Sequence, residues 1–445
     1  MRKNKVLLIS PNTETAPMPV YPLSLARLAR AVETRGDQVR QFDLLVHGNH
    51  QLPGVLQEYQ PNLVALSLRN LDNLDTTAYR SYLSSYREIM NIICSHTQAP
   101  VVLGGSGFSL LPHELLQRLD GNLGVIGPGE GALSAILQAL DEGASSFPQI
   151  LNGTEYNDGA FQSRHEPELV EYYWRFGGMI GLQTKRGCPR HCSYCTYPLI
   201  DGNRTRYAEI PALVEEIELL VRKMGVTYFY FVDSVFNQDR EHELAFAEEI
   251  LRRDLAIRWC AFFAPSGLDR EYLKVLKKSG LTHVEFGTEA MCDRMLSSYK
   301  KGFNTAEVVH NSSLANELGL HVCHYLLFGG PGEAPDTVRE TLTHARKLSD
   351  CVFFPFVGVR IYPGTDVYLQ ALNENQVQVD SDYFAPIFYN PEGFAREAIW
   401  EMLRRETEGL TNWLFPSKYE DISRILKRLR QRGLKGPLWE YLLQN

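Results

Sequence analysis

The chain has 445 residues, which leaves room for two or three domains of about 150 residues each. Apolar residues form 44% of the chain, which is enough for extensive hydrophobic cores. The formal net charge of -8 argues against a general nucleic-acid binder, because such proteins need a basic surface to displace counterions from phosphates.

Apolar segments and cysteine usage indicate the compartment in which the protein works. No apolar run reaches the roughly 18 residues of a membrane span, and the apolar segment at residues 6–9 is too short for a secretion signal. Five of the eight cysteines are scattered singly, which is typical of a reducing compartment. These are Cys94, Cys260, Cys292, Cys323 and Cys351. We therefore expect a cytoplasmic protein.

Residues 1–150 show the pattern of a doubly wound α/β domain. Short apolar runs alternate there with helical patterns, at residues 6–10, 39–45, 63–68, 101–105 and 124–127. Continuous Val, Ile and Leu runs are typical of parallel strands that are buried on both faces. The sequence therefore predicts a five-stranded, Rossmann-like parallel sheet whose ligands bind beyond the carboxyl ends of the strands.

The following segment, rich in Gly, Ser, Asn and Asp, is interpreted as a linker over residues 151–176. Residues 177–380 then repeat a strand and helix pattern. The apolar runs stand at residues 177–184, 227–232, 257–262, 282–286, 322–328 and 352–361. Six such units predict a partial (β/α)6 TIM barrel with its active site at the carboxyl ends of the strands.

The last segment, residues 381–445, is predicted to form a small, mainly helical region and a possible lid over the barrel mouth. It contains a basic stretch at residues 418–435. Charge runs on helices are most often solvated faces, and the competing interpretation is a site for an anionic substrate.

Three cysteines, Cys188, Cys192 and Cys195, follow the first predicted barrel strand closely. Three thiolates can hold three irons of a [4Fe–4S] cluster and leave the fourth iron open for a substrate or cofactor. Half of a zinc knuckle and a structural cluster are the competing interpretations, but no fourth Cys or His stands nearby at zinc-finger spacing. The motif therefore predicts a catalytic cluster.

With Tyr194 directly before the last cysteine, the motif resembles the signature of radical S-adenosylmethionine (SAM) enzymes, in which the open iron binds the amino and carboxylate groups of SAM. The resemblance implies further SAM contacts at Asp233, Glu289, Gly329, Gly330 and Pro331. Structural roles stay open for these residues: Asp233 also suits a helix N-cap, and the glycine loop also suits an ordinary turn. Glu285, earlier in the same predicted strand, competes with Glu289.

The first domain resembles the cobalamin-binding domain that precedes the barrel in cobalamin-dependent radical SAM enzymes. The resemblance rests on the order of three segments, residues 21–29, 104–112 and 127–130. Their glycines permit a close approach of the backbone to a ligand, although tight turns explain them about as well. The implied cobalamin contacts are Pro11, Ser67, Arg69, Asn70, Gly104, Gly105, Ser106, Gly107, Ser109, Gly127, Gly129 and Glu130.

One departure from the family pattern concerns the lower face of the cobalt. Domains that ligate cobalt through histidine carry Asp-x-His-x-x-Gly, whereas here the stretch is Asp43-Leu-Leu-Val-His47-Gly48, with the histidine two places late. A shift of two residues redirects the ring away from the metal, so we interpret His47 as a loop or surface residue. Arg69 or Asn70 is then expected to screen the lower face.

Together these features predict a cobalamin-dependent radical SAM enzyme of the class B methylase type, acting on an unactivated carbon. The resemblance implies that a 5′-deoxyadenosyl radical from SAM removes a substrate hydrogen and that methylcobalamin then supplies the methyl group. The alternatives are a radical cyclisation or rearrangement and a polar methyl transfer from methylcobalamin. Methylthiolation would need additional N-terminal cysteines, and a corrinoid sensor or carrier would not need the cysteine motif.

The expected partners are a small-molecule, lipid or peptide substrate and a reducing protein such as flavodoxin or ferredoxin. Residues that could orient the substrate are His324, Tyr325, Arg360 and Tyr362. Strand alternation allows only some of these side chains to point inward.

Overall fold

The computed structural model describes residues 3–73, 79–143, 148–156, 161–348 and 350–444. The chain divides into two compact units. The first unit comprises Met1–Thr15, Pro19–Tyr173 and Tyr197–Asn203. The second unit comprises Ala16–Met18, Trp174–Thr196 and Arg204–Asn445.

The first unit is built on a parallel sheet. Its strands are β1 (Lys5–Ser10), β2 (Gln38–Asp43), β3 (Leu63–Ser67), β4 (Val101–Gly104), β5 (Leu123–Ile126) and β6 (Ile150–Asn152). They lie in the order β2-β1-β3-β4-β5-β6. Because β1 pairs with both β2 and β3, the winding reverses beside β1, which creates the switch point where doubly wound sheets bind ligands.

Helices cover both faces of this sheet, as the doubly wound class requires. In chain order they are α1 (Leu23–Thr34), α2 (Leu44–His47), α3 (Leu52–Tyr59), α4 (Leu83–His96), α5 (Ser106–Leu110), α6 (Pro112–Arg118), α7 (Glu130–Asp141), α8 (Pro167–Phe176) and α9 (Tyr197–Asp201). One core layer joins Leu8, Val102 and Val125 of the strands to Leu25 of α1 and Leu133 of α7. The predicted fold class of this unit is confirmed.

The strand count differs from the prediction of five. Residues 150–152 form β6, which pairs in parallel with β5 from Gly124↔Ile150 to Ile126↔Asn152. The segment is only three residues long and lies among Gly, Ser and Asn residues, so its apolar signal is too short to separate it from a linker. Residues 157–160 of the predicted linker lie outside the described residues.

The second unit contains the predicted six-stranded partial barrel and a short additional ribbon. Its strands are β7 (Ile180–Leu182), β8 (Lys185–Arg186), β9 (Arg206–Tyr207), β10 (Tyr228–Phe231), β11 (Arg258–Phe263), β12 (Leu281–Glu289), β13 (His321–Phe328) and β14 (Cys351–Val357). The large sheet is parallel and runs β14-β13-β12-β11-β10-β7. β8 and β9 pair with each other in antiparallel orientation.

The helices of the second unit follow the strands in alternation. They are α10 (Ile210–Met224), α11 (Arg240–Arg252), α12 (Arg270–Lys278), α13 (Asp293–Ser298), α14 (Thr305–Glu317), α15 (Pro335–Ala345), α16 (Asp366–Asn373), α17 (Arg396–Glu406) and α18 (Tyr419–Gln431). Side-chain caps fix several of their starts, with Asp239 capping α11 and Asp269 capping α12. Asn304 and Glu307 form a capping box on α14.

The C-terminal region is helical, as predicted, but its last part does not lie where a lid would. Ile422 and Leu426 of α18 and Trp439 of the following 3-10 helix pack against Cys323 and Val352. These two residues stand near the amino-terminal ends of β13 and β14, whereas the barrel mouth lies at the carboxyl ends. This segment therefore closes the base of the sheet. Among the described residues, no helix has both the length and the apolarity to cross a membrane.

Candidate functional site

The three cysteines of the motif lie in the loop that follows β8, at the carboxyl end of β7. Cys188 is buried, and Cys192 and Cys195 are partly exposed. The backbone N–H of Cys195 donates to the carbonyl of Cys192 over 3.1 Å, which folds the loop back on itself. Burial raises the pKa of the Cys192 thiol, and the nearby Cys188 contributes to the same shift. Four thiolates normally hold a [4Fe–4S] cluster, so three neighbouring thiols fit a cluster with one open iron.

The loop is anchored through Ser193, between the last two cysteines. Its N–H donates to the Tyr299 carbonyl over 3.1 Å, and its hydroxyl donates to the Ser298 carbonyl over 3.0 Å. Its own carbonyl accepts from the N–H of Val367 over 2.9 Å. The loop is therefore held by the segment after β12 and by the start of α16.

Tyr194, Glu289 and Lys301 form a buried polar cluster beside the cysteines. Lys301 Nζ lies 3.2 Å from the Tyr194 hydroxyl and 3.3 Å from Glu289 Oε1. Burial, together with the charge of Glu289, raises the pKa of Tyr194 well above its ordinary value, so the phenol stays neutral. The positive charge of Lys301 opposes, without cancelling, the effect of burial on the pKa of Cys192.

Glu289, the last residue of β12, has a backbone φ of +65°. Left-handed backbone is uncommon for a residue other than glycine. The pairing of β12 with β13 shifts register between Gly287 and Glu289, so an irregularity in the strand turns this side chain. Strain of this kind gathers at binding sites, and here it brings Glu289 to Lys301.

Gly329, Gly330 and Pro331 follow β13 and meet the same segment. A Cβ on Gly330 would lie 2.3 Å from the Tyr299 ring, so only glycine fits there. Gly329 has a φ of +88°. The Ser298 hydroxyl donates to the Pro331 carbonyl over 2.6 Å. The structure thus brings the cysteine loop, Glu289 and this predicted SAM loop together around residues 298–301.

The carboxylate of Asp233 is already hydrogen-bonded and does not join the cluster formed by Tyr194, Glu289 and Lys301. Its oxygens accept from the N–H of Thr184 over 2.8 Å, from the Thr184 hydroxyl, and from the N–H of Lys185 over 3.3 Å. Its side chain is 0% exposed, and Lys185 Nζ lies 3.7 Å away. Nor is it a helix cap, because α11 begins later, behind Asp239. Asp233 instead fixes the segment that leads into the cysteine loop.

The carboxylate of Glu285, the competing candidate, is also hydrogen-bonded to other residues. Its carboxylate accepts from the hydroxyls of Tyr230 over 3.2 Å and Tyr325 over 3.0 Å, and from the Trp439 indole over 3.3 Å. Burial raises the pKa of the Glu285 carboxyl. Between the two glutamates, Glu289 is therefore the one beside the cysteines.

The possible substrate-orienting residues divide between the two faces of the sheet. His324 is fully buried and bonds Thr288 over 2.8 Å and Ser312 of α14 over 3.2 Å, so it points toward the helices. Burial lowers its pKa to about 3, which keeps the ring neutral. Tyr325 points to the opposite face, toward Glu285. Arg360 lies just beyond β14, with its guanidinium 4.7 Å from the ring centre of Tyr362.

Sequence reasoning missed Lys301, Tyr299 and the buried pair formed by Lys185 and Glu243. Lys185 Nζ lies 3.1 Å from Glu243 Oε1, and both side chains are 1% exposed. Lysines 300 and 301 and the following glycine stand in a loop without periodicity, 11 to 13 residues after Glu289. A buried role for Lys301 has no signal in such a segment, whereas Lys185 does adjoin the cysteine motif.

In the first unit, the glycine-rich segment after β4 packs against the end of β3. Gly105 has a φ of +97°, and a Cβ there would lie 2.7 Å from the Leu68 carbonyl oxygen. A Cβ on Gly107 would lie 3.0 Å from the carbonyl oxygens of Leu68 and Arg69. The Gly107 N–H donates to Leu68 over 2.9 Å. Backbone packing therefore explains these two glycines independently of a ligand.

Serine hydroxyls join the ends of β3, β4 and β5 into one edge. Ser106 donates to the Arg69 carbonyl over 2.9 Å. Ser109 donates to the Gly105 carbonyl and accepts from the N–H of Gly127, each over 2.9 Å. The exposed Arg69 side chain stands at this edge. Most of the predicted cobalamin contacts are thereby brought together at the carboxyl ends of the strands.

The other predicted contacts surround the same sheet edge. Pro11 follows β1 directly, Gly129 precedes α7, and Glu130 is its first residue. The Ser67 hydroxyl lies 3.0 Å from that of Ser24 in α1. The Tyr86 hydroxyl donates to the backbone carbonyl of Asn70 over 2.6 Å, so this bond does not use the side-chain amide of Asn70.

His47 is not in a loop, as the sequence interpretation had it, but is the half-buried last residue of α2, where neighbouring groups hold its ring. Its Nδ1 lies 2.9 Å from the carbonyl of Asp43 and its Nε2 lies 3.4 Å from Glu168. The ring stacks on Phe42 with centres 4.8 Å apart. Both nitrogens thus face protein groups of the first unit.

Two family models match the chain, one in each unit. The B12 binding domain matches residues 9–137, and the Radical SAM superfamily matches residues 182–345. A tryptophan 2-C-methyltransferase of Streptomyces laurentii is 26% identical over 82% of this chain and 74% of its own length. An uncharacterized methyltransferase of Pyrococcus horikoshii is 26% identical over 84% of each chain.

Solved structures share the fold. The radical SAM methyltransferase TsrM from Kitasatospora setae, with cobalamin and a [4Fe–4S] cluster bound, superposes with a TM-score of 0.86 at 24% identity, over 100% of this chain and 98% of that one. The cobalamin-dependent SAM radical enzyme OxsB gives a TM-score of 0.75 at 14% identity, over 96% and 71%. The two family models support the predicted cofactors, cobalamin in the first unit and a [4Fe–4S] cluster with SAM in the second. The chain thus carries a B12 binding domain followed by a Radical SAM domain, and its relatives include methyltransferases.

Proposed function

We propose that this protein methylates an unactivated carbon of a small-molecule substrate. The observation that carries the proposal is the buried cluster of Tyr194, Glu289 and Lys301 directly beside the cysteine trio, in a chain whose first unit matches the B12 binding domain. When bound, the reduced cluster cleaves SAM to a 5′-deoxyadenosyl radical and methylcobalamin supplies the methyl group.

The residues of the second unit hold SAM against the open iron. Glu289 is turned toward this site by its strained backbone and takes the ribose hydroxyls as hydrogen-bond donors. Gly329, Gly330 and Pro331 follow β13, and Gly330 packs closely against Tyr299, so their backbone would form one side of the SAM site. The backbone beside Tyr194 completes the contact, while its phenol stays with Lys301. Asp233 contributes indirectly, because its hydrogen bond with Thr184 fixes the segment that leads into the cysteine loop.

The residues of the first unit hold cobalamin at the carboxyl edge of its sheet. The start of α7 presents backbone N–H groups, which would suit the phosphate of the nucleotide tail. The proposed contacts are Pro11, Ser67, Arg69, Asn70, Gly104, Gly105, Ser106, Gly107, Ser109, Gly127, Gly129 and Glu130. Arg69, which is exposed at this edge, or Asn70 screens the lower face of the cobalt.

A one-electron donor such as flavodoxin or ferredoxin is the partner that this chemistry requires, because the cluster must be reduced before each cleavage of SAM. The relatives suggest small molecules as substrates, and tryptophan is the one named for the Streptomyces laurentii enzyme.

The test is a product balance with SAM that carries a trideuterated methyl group, a strong reductant and a panel of small molecules that includes tryptophan. Radical methylation gives 5′-deoxyadenosine and S-adenosylhomocysteine in near-equal amounts. The product is heavier than the substrate by about 17 mass units, because one CD3 group replaces one hydrogen. The variant with Cys188, Cys192 and Cys195 all changed to Ala is the control and gives neither nucleoside above background. Equal turnover by that variant would overturn the proposal.

Polar methyl transfer is the second candidate, because His47 is tied to Asp43 and Glu168 and so is not placed as a cobalt ligand. A cobalt ion without a strong lower ligand would favour transfer of its methyl group as a cation to a nucleophilic carbon of the substrate. S-adenosylhomocysteine formed without deoxyadenosine would identify that route, and deoxyadenosine without homocysteine would identify a rearrangement.

A further inference from the structure

Two histidines and a glutamate meet at the base of the second unit, at the opposite end of the strands from the cysteine loop. His283 of β12 and His321 of β13 are direct neighbours in register, and their ring centres lie 4.7 Å apart. Glu440, from the 3-10 helix Trp439–Gln444, places Oε2 3.0 Å from His283 Nε2. One ligand atom from each of the three residues lies within 4.8 Å of the other two.

The inner nitrogen of His283 is held by two hydroxyl groups. His283 Nδ1 lies 2.7 Å from the Tyr228 hydroxyl and 2.9 Å from the Thr282 hydroxyl, and these two hydroxyls lie 2.6 Å from each other. The outer nitrogen, Nε2, faces Glu440.

His283 Nε2 and Glu440 Oε2 lie 3.0 Å apart in a buried place. Within the part of the chain that the structure describes, both are buried atoms without a hydrogen-bond partner of good geometry. Unpaired buried polar atoms are costly, and a cation between them removes the cost. A metal-ligating histidine usually gives its other ring N–H to an outer partner, and the hydroxyls of Tyr228 and Thr282 stand in that place here.

We propose that His283, His321 and Glu440 bind one divalent first-row transition-metal ion, and that this ion is zinc. Two imidazoles and a carboxylate are a common zinc donor set, and a water completes the tetrahedron. Ligand atoms of tetrahedral zinc lie about 3.3 Å apart. His321 is exposed at its end of β13, so its ring has room to close the remaining distance and the ion has a path from solvent.

The ion would fasten the C-terminal segment to the barrel. Glu440 comes from that segment, whereas the histidines come from two neighbouring strands. Trp439, the adjacent residue, donates its indole N–H to the buried Glu285 and packs against Cys323. The site is thus a structural one, and its rival is a proton shared between His283 and Glu440, which would need no metal.

The first test measures zinc in the reconstituted holoenzyme after equilibration with zinc and removal of the excess. We expect about one equivalent of zinc per chain in the wild type. His321→Ala should weaken binding by more than the roughly 10- to 100-fold that follows loss of an outer-shell partner. His310→Ala, at an exposed position of α14, is the matched control and should retain the metal. Zinc retained by His321→Ala, or absent from the wild type, overturns the proposal.

The second test is X-ray absorption at the zinc edge, which is blind to the iron and cobalt of the cofactors. The expected spectrum has nitrogen and oxygen neighbours at about 2.0 Å, with imidazole features, and no sulfur at about 2.3 Å. A sulfur shell would place the zinc on cysteines and overturn the assignment. Zinc should also raise the melting temperature of the wild type and of His310→Ala, but not that of His321→Ala.

Discussion

Lys301 and Glu289 form an ion pair inside the second unit, with Lys301 Nζ 3.3 Å from Glu289 Oε1 and the two side chains only 8% and 14% exposed. The same ammonium group reaches the Tyr194 hydroxyl, next to the last cysteine. The ion pair thereby links the strained end of β12 to the loop that carries the cluster. Its partners stand 12 positions apart in the sequence with α13 between them, and only the fold brings them together.

Loss of the Lys301 charge should destabilise the fold and alter the cluster. In Lys301→Met, the largely buried Glu289 loses its cation, which costs about 1 to 3 kcal/mol of unfolding free energy. The reduction potential of the cluster should become more negative, because a nearby positive charge has been removed. Urea unfolding and redox titration measure the two effects.

Lys300→Met is the matched control for this prediction. Lys300 pairs with Asp366 over 2.7 Å, but the side chains are 56% and 48% exposed, so its removal should change stability by less than about 1 kcal/mol. Equal effects of the two substitutions would contradict the role assigned to Lys301.

A steric clash, and not an unusual backbone conformation, should make substitution of Gly330 unfavourable. An added Cβ would lie 2.3 Å from the Tyr299 ring, whereas Gly330 is not among the residues with positive φ. Gly330→Ala should therefore lower stability by about 1 to 3 kcal/mol and weaken SAM binding in equilibrium dialysis. The double variant with Tyr299→Leu should recover part of both losses. Gly54→Ala, at a helical position with nothing within 4 Å, should be neutral or stabilising.

The sequence predicts those features whose signal is local. Continuous apolar runs reveal the two parallel sheets, because strands buried on both faces need apolar residues at every position. The spacing of Cys188, Cys192 and Cys195 reveals the cluster loop, because one loop must supply all three ligands. The strand at residues 150–152 is missed because three residues carry too little pattern.

The sequence does not reveal contacts that the fold creates between distant residues. Asp233 stands at the end of a strand, as a ligand-binding carboxylate would, but Thr184, 49 residues earlier, occupies it. Glu440 is one of many charged residues near the C-terminus, and nothing local associates it with His283. Such pairings depend on strand order and on the path of the C-terminal segment, which the sequence pattern does not specify.

Glu333 should make stability depend on pH. Burial raises the pKa of its carboxyl from 4.5 to about 7, although it accepts from the Gly329 N–H over 3.1 Å. The folded state thus holds the proton more tightly than the unfolded state. Its contribution is fully present below about pH 4.5 and is lost as the pH rises to about 7, a change of about 3 kcal/mol.

The comparison with Glu333→Gln isolates this effect. Denaturant unfolding between pH 4.5 and 8 should show the wild type losing stability relative to the variant, with the difference constant above about pH 7.5. Glu397→Gln, at an exposed position in the first turn of α17, should follow the wild type. A wild type that gains stability relative to Glu333→Gln over this range would contradict the prediction.

The cobalt in the first unit should carry no nitrogen from His47. The ring stacks on Phe42, and its two nitrogens face Asp43 and Glu168, so a move to the cobalt would break all three contacts. Electron paramagnetic resonance of the enzyme loaded with cob(II)inamide, which lacks a nucleotide base of its own, should therefore show no superhyperfine splitting from an axial nitrogen. The spectra of His47→Ala and of the neighbouring control His50→Ala should overlay that of the wild type. A three-line splitting in the wild type that disappears only in His47→Ala would establish His47 as the axial ligand and reverse this assignment.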